Sequence, residues 1–124
     1  MSARRIAWLG IATPHHGEMA RFLRDALDLQ IVFEHDTTAE LSLTGGDRVQ
    51  VFGPGHPYYE LFREHARGPV PLFEVDDVER ARAALLEAGV RLLGGVESDD
   101  EWAWIDFVGP DGNLYEVASR RRRE

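Results

Sequence analysis

Cysteine is absent from this chain, and so is lysine. The first absence excludes disulfides, thiolate metal sites and a thiol nucleophile. The second leaves arginine as the source of all 14 basic side chains, against 22 acidic ones, for a net charge of −8. Four of those arginines are consecutive, at Arg120 to Arg123. Without that run, ten stand against 22 acidic residues, a body charge of about −12. Such a surface repels nucleic acid. The arginine run reads as a frayed, solvated end rather than a phosphate-binding tail. Also missing is any apolar stretch near the roughly 20 residues needed to cross a bilayer. The apolar run from Ile6 to Thr13 ends at Pro14 and makes a poor secretory signal. Neither nucleic acid nor membrane is expected as a partner, and the expected location is cytoplasmic.

What is present suits one globular domain over residues 1–124, long enough to bury a core. Ile6 to Thr13 reads as a strand. Thr13 is placed to cap a helix with Pro14 at its first position, where a missing N–H costs nothing. Met19, Phe22, Leu23, Ala26 and Leu27 recur at helical spacing as one buried face. Strands are expected at Leu29 to His35, Leu41 to Thr44 and Val49 to Phe52. Gly45-Gly46-Asp47 makes the hairpin turn between the last two. Gly53-Pro54-Gly55-His56-Pro57 breaks the pattern, and Tyr58 to Ala66 reads as a short helix within a linker of about 53–68. Then the order repeats. Val70 to Val75 is a strand. Asp76 or Asp77 caps a helix with Val78, Ala81, Leu85 and Ala88 on one face, stopped by Gly89. Arg91 to Val96, Trp102 to Val108 and Asn113 to Ala118 complete the set, with a turn at Gly109-Pro110-Asp111-Gly112. The expectation is an α+β fold of two β-α-β-β-β modules, about 5–53 and 69–119. A repeat of roughly sixty residues is a strong architectural signal.

Four segments carry a resemblance: Trp-Leu-Gly-Ile-Ala-Thr at 8–13, Phe-Leu-Arg-Asp-Ala-Leu-Asp-Leu at 22–29, Phe-Glu-Val-Asp-Asp-Val at 73–78, and Phe-Val-Gly-Pro-Asp-Gly-Asn-Leu-Tyr-Glu-Val at 107–117. With them the chain resembles the vicinal oxygen chelate superfamily, which includes glyoxalase I, bleomycin-resistance proteins, fosfomycin-resistance enzymes and extradiol dioxygenases. The resemblance implies two curved sheets around a shared cavity, helices outside, and a homodimer. It also implies two metal ligands from each module. Those four positions fall on Trp8, Gln50, Val70 and Glu116. Only Gln50 and Glu116 could serve, whereas divalent ions of this class want three or more N or O ligands at about 2.0–2.2 Å.

Strand alternation sorts the faces without reference to any family. Ala7, Leu9 and Ile11 oppose Trp8, Gly10 and Ala12. Val49 and Val51 oppose Arg48, Gln50 and Phe52. Ala103, Ile105 and Phe107 oppose Trp102, Trp104 and Asp106, and Tyr115 and Val117 oppose Leu114, Glu116 and Ala118. The uniformly apolar faces suit helix packing. Under the resemblance the other faces line the cavity, through Trp8, Arg48, Gln50, Phe52, Trp102, Trp104, Asp106 and Glu116. Flat apolar surfaces with a few polar groups are the makeup of a small-molecule pocket. The competing reading is a second core filled by its own aromatics. For Glu116 the alternatives are a residual ligand, a general base, an anchor for a cationic molecule, or an ion pair with Arg48.

The five histidines read as surface residues by default. His15 and His16 are kept as contact candidates at the cavity mouth, although adjacent helical residues point about 100° apart. Asp76 and Asp77 read as a helix cap, and Ser98 to Glu101 as a solvated acidic loop. The expected function is metal-independent binding of a small organic molecule, planar and amine-bearing, similar to the bleomycin-resistance branch, with no cofactor. The alternative is a metal-dependent lyase or dioxygenase of the glyoxalase type, with Gln50 and Glu116 as surviving ligands and a third from His15, His16 or a dimer partner. Glu116, as a general base, is the one candidate catalytic group.

Overall fold

The computed structural model describes residues 2–121. The elements in chain order are β1 (Arg5–Ala12), α1 (His16–Leu27), β2 (Gln30–His35), β3 (Thr38–Ser42), β4 (Arg48–Phe52), α2 (Pro57–His65), β5 (Val70–Glu74), α3 (Val78–Glu87), β6 (Arg91–Leu92), β7 (Glu97–Ser98), β8 (Trp102–Val108) and β9 (Leu114–Arg120). They form a mixed α+β architecture around one curved nine-stranded sheet, ordered β2-β3-β4-β1-β5-β9-β8-β6, with β7 also on β8. The first module is β1-α1-β2-β3-β4. The second is β5-α3-β6-β7-β8-β9. They meet where β1 and β5 pair antiparallel, Trp8 opposite Leu72 and Gly10 opposite Val70. In each module the first strand lies parallel to the last, β1 with β4 and β5 with β9.

Two helices cover one face of the sheet. On the first module α1 packs through Ala20 and Leu23 against Leu29, Ala39, Leu41 and Val51. On the second, α3 packs through Val78 and Ala81 against Val75, Ile105 and Val117. The Asp77 carboxylate caps α3 by accepting from the N–H groups of Glu79 at 2.9 Å and Arg80 at 3.4 Å. Gly89 ends α3 at φ +76°, a conformation that favours glycine.

Several expectations need correction. The α1 helix begins at His16, not at Pro14. Thr13 accepts instead from the His15 N–H at 3.1 Å, a local turn that delays the helix. The stripe of α1 that meets the sheet is narrower than expected, leaving Phe22 54% and Leu27 62% exposed. Of the expected strand from Arg91 to Val96 only Arg91–Leu92 forms, as β6; Gly94 at φ +88° turns the chain, and the next strand, β7, begins at Glu97. In β1 a register shift between Ile6 and Trp8 breaks strict alternation. Ala7 therefore packs with Trp8, Leu72, Trp102 and Ala118 instead of facing a helix.

The arginine run is not simply solvated where it is described. Arg120 ends β9 with its guanidinium 4.5 Å from the centroid of the Trp102 ring. Arg121 donates to the Asp99 carbonyl at 2.7 Å. Arg122 and Arg123 lie outside the described residues. The Gly-Pro-Asp-Gly-Asn segment has a structural task as well. Asn113 accepts from the Arg67 N–H at 2.7 Å and donates to the Pro69 carbonyl at 3.3 Å. It thereby ties the chain entering β5 to the start of β9. No helix among the described residues is long and apolar enough to cross a membrane.

Candidate functional site

Opposite the helices, the concave face of the sheet carries a cavity of about 180 Å³. Its wall contains Trp8 from β1, Gln50 and Phe52 from β4, Leu72 from β5, Trp102 and Trp104 from β8, and Glu116 from β9. His56, Tyr58 and Asp99 complete it. A second concavity of about 470 Å³ shares Trp8, Gln50, Asp99 and Trp102 with the first, and adds Phe33, Glu40, Asp100 and Glu101. The two are an inner chamber and its mouth. The chamber is chiefly aromatic and the mouth is strongly acidic.

The aromatic walls hold one another in place. Trp8 meets Trp102 edge to face at 5.4 Å between centroids, with ring planes 88° apart. Tyr58 meets Trp104 in the same manner at 6.3 Å. Phe52 packs edge-on against Phe62 at 5.2 Å and against the tilted His56 ring at 4.5 Å. The Trp104 indole N–H donates to Glu97 at 3.1 Å. Gln50 donates to the Thr38 hydroxyl at 3.3 Å, and Thr38 donates to the Val51 carbonyl at 2.8 Å.

Glu116 is 5% exposed and Asp106 is 4% exposed, and the two are directly opposed on β8 and β9. Burial, then the hydrogen bond and charge of Asp106, push the Glu116 carboxyl well above its usual range. Burial also raises Asp106, against the opposing effect of its bond with Glu116. Asp106 Oδ1 has no hydrogen-bond partner. Burial raises Tyr58 and lowers His56.

Of the eight residues expected to line the cavity, Trp8, Gln50, Phe52, Trp102, Trp104 and Glu116 do so. Arg48 does not. Its guanidinium binds Glu40 across the neighbouring strand at 2.9 Å, so it makes no ion pair with Glu116. Asp106 stands opposite Glu116 on the neighbouring strand and does not line the chamber. His15 and His16 do not reach the chamber or its mouth. His16 packs over Gly53, where an added Cβ would lie 2.1 Å from its Nδ1.

His56, Tyr58, Leu72 and Asp99 were not anticipated as lining residues. His56 and Tyr58 belong to the linker, where no periodicity announces a facing direction. His56 caps α2 by accepting from the Tyr58 N–H at 3.1 Å. Asp99 belongs to the loop expected to be solvated. Its carboxylate accepts from the N–H groups of Glu101 and Trp102, both at 2.8 Å, and this holds the loop at the chamber edge. Leu72 follows from register. Trp8 stands opposite Leu72, and Leu72 opposite Glu116, so Leu72 takes the place expected for Val70. Val70 is fully buried with Phe52, Phe62 and Leu114.

A model of the Glyoxalase/Bleomycin resistance protein/Dioxygenase superfamily matches residues 5–117. The chain belongs to this superfamily. Methylmalonyl-CoA epimerase from Mycobacterium tuberculosis is 19% identical, with a TM-score of 0.71 over 98% of this chain and 94% of that one. A superfamily member from Vibrio splendidus 12B01 is also 19% identical, with a TM-score of 0.71 over 92% and 97% of the two chains. The Mn(II)-bound glyoxalase from Novosphingobium aromaticivorans is 20% identical, with a TM-score of 0.71 over 98% of this chain but 42% of that one. At these identities the likeness concerns the fold. No curated protein matches the chain.

The ligand positions implied by the resemblance carry Trp8, Gln50, Val70 and Glu116, and the register sets Leu72, not Val70, beside Glu116. Neither an indole nor an aliphatic side chain donates to a metal, and Glu116 is buried opposite Asp106. Among the described residues no three His, Asp or Glu side chains gather into a set that could hold an ion. Two oxygen donors do not fit a tightly held divalent cation.

Proposed function

We propose that this superfamily member binds a small, planar, amine-bearing organic molecule without a metal, in the manner of the bleomycin-resistance branch. The observation that carries this reading is the pairing of an aromatic chamber with an acidic mouth. An engineered cavity of about 150 Å³ admits benzene, so the chamber suits a single aromatic ring. Trp8, Phe52, Trp102 and Trp104 supply faces and edges for stacking, each worth about 0.5–1.5 kcal/mol beyond burial. Gln50 orients the ring through its amide. At the mouth Asp99, Asp100 and Glu101 have no arginine assigned to their carboxylates among the described residues, whereas Glu40 is paired with Arg48. Their field favours a cation. A homodimer belongs to the same proposal, supported by the exposed Ile6, Phe22, Leu27, Val32, Leu43 and Leu86.

The test is a thermal-shift and tryptophan-fluorescence screen of single-ring aromatic amines, run beside Zn, Ni, Mn, Fe and Mg salts. Quenching and a higher melting temperature with amines, but not with the metals, is the expected result. Near-stoichiometric metal in purified protein, lost in Glu116→Ala, would overturn the reading and favour a metal-dependent lyase or dioxygenase.

A further inference from the structure

The segment Gly53-Pro54-Gly55-His56-Pro57 interrupts the strand pattern, and the fold uses it to set one side chain. The His56 N–H donates to the Gly53 carbonyl at 3.2 Å, closing a turn with Gly55 at φ +95°. Proline second and a left-handed glycine third are what a type II turn asks for. The Gly53 N–H is tied in turn to the Thr37 carbonyl at 2.7 Å. Pro57 then opens α2. The His56 ring packs against Phe52 at 4.5 Å and Tyr58 at 5.5 Å between centroids. Backbone and ring are both held before any ligand arrives, so a ligand loses little free energy in ordering them.

The cap of α2 also fixes the chemistry of that ring. Its Nδ1 accepts the Tyr58 N–H at 3.1 Å. A backbone N–H can only donate, so Nδ1 carries no proton, and the neutral imidazole carries its proton on Nε2. Protonating Nδ1 would break the cap and set a positive charge at a helix N-terminus, where the peptide dipoles disfavour it. Burial lowers the His56 pKa and acts in the same direction. The ring lines the chamber, and Nδ1 is its one nitrogen bonded to a described residue. Neighbouring polar groups are committed: the Gln50 amide donates to Thr38, and the Trp104 N–H to Glu97.

We infer that the His56 Nε2–H is a fixed, neutral donor inside the chamber, and that it recognises a carbonyl oxygen attached to the ligand's ring. This deepens the proposed binding function and rests on it for the aromatic ligand, though not for the tautomer. It also fixes the ligand's orientation. His56, Tyr58 and Trp104 line the chamber and not its mouth, whereas Asp100 and Glu101 line the mouth and not the chamber. The carbonyl therefore points inward and the cationic end stays outside. An aryl ketone or aryl amide joined to an ammonium tail has that polarity.

Two measurements on the unsubstituted protein and one on a variant test this. Nitrogen NMR of histidine-labelled protein near neutral pH should show His56 protonated on Nε2 alone. The Nδ1–H tautomer, or the imidazolium, overturns the inference. Titrations followed on the tryptophan indole N–H signals then compare acetophenone with α-methylstyrene, which has the same shape but a CH2 in place of the carbonyl oxygen. Acetophenone should bind about three- to tenfold more tightly, the equivalent of one hydrogen bond. In His56→Asn the amide oxygen can still cap α2, but the shorter side chain sets no donor where Nε2 stands. There the preference should vanish, with α-methylstyrene affinity kept within about twofold, since its contacts are apolar. Equal affinity for the two probes, binding of neither, or a preference that survives in His56→Asn overturns the inference. The amine reading is tested separately, by 4-acetylbenzylamine against acetophenone. If the ammonium adds no affinity while the carbonyl preference holds, the acidic mouth is refuted as a cation site and the role of His56 is upheld.

Discussion

The buried Glu116 carboxyl makes stability depend on pH in an unusual direction. Asp25 and Asp111 are held below their usual range by hydrogen bonds, so they stabilise the fold as pH rises through the acid region. Glu116 is held above its usual 4.5. Above about pH 4.5 the unfolded chain has released this proton while the folded protein keeps it. Glu116 therefore contributes most below that pH, and its contribution is lost as pH rises toward its folded value. One whole proton corresponds to a slope of about 1.4 kcal/mol per pH unit. That slope acts between the unfolded value and the raised folded one, against a total of about 5–15 kcal/mol typical of a domain. His56 acts oppositely, because burial lowers its value and the folded state resists its protonation. The comparison with Glu116→Gln cancels that term. From about pH 5 to 8 the urea midpoint of the original should fall relative to that of the variant as pH rises. Parallel curves would refute the raised Glu116 value, since no other titratable group is removed by the substitution.

Three further outcomes follow from packing. Phe62 is 2% exposed and wedged between Phe52, Val70 and Leu114, so Phe62→Ala should cost about 3–5 kcal/mol by urea denaturation. Gly53→Ala should cost about 1–3 kcal/mol, because the new methyl meets the His16 ring, and His16→Ala in the same chain should recover most of that in a double-mutant cycle. Asp77→Ala removes the carboxylate that caps α3 and should cost about 1 kcal/mol, read as a lower midpoint with an unchanged denaturant slope.

The sites most legible in the sequence were those on regular strands. Gln50, Phe52, Trp102, Trp104 and Glu116 share the cavity because a pleated strand sends every second side chain to the same side, and nothing interrupts β4, β8 or β9. Arg48 and Asp106 sit on that same face yet fall outside the chamber. A facing direction does not say how far along the strand the cavity extends, nor which neighbour claims a charge. Glu40 stands one strand over and two residues off from Arg48 in register, close enough to take the guanidinium.

The sequence by itself determined the two-module α+β plan, the caps at Asp77 and Gly89, and the absence of imidazole at the superfamily's ligand positions. These follow from residue chemistry and from periods of 2 and 3.6, which act over a few residues. Tertiary structure alone decided three things: that Leu72 and not Val70 faces Glu116, that Glu116 meets a second carboxyl and not an arginine, and that His56, Tyr58 and Asp99 close the chamber. Each depends on register between strands or on where an irregular segment comes to rest. Such contacts join residues far apart in the chain, and local pattern carries no record of them.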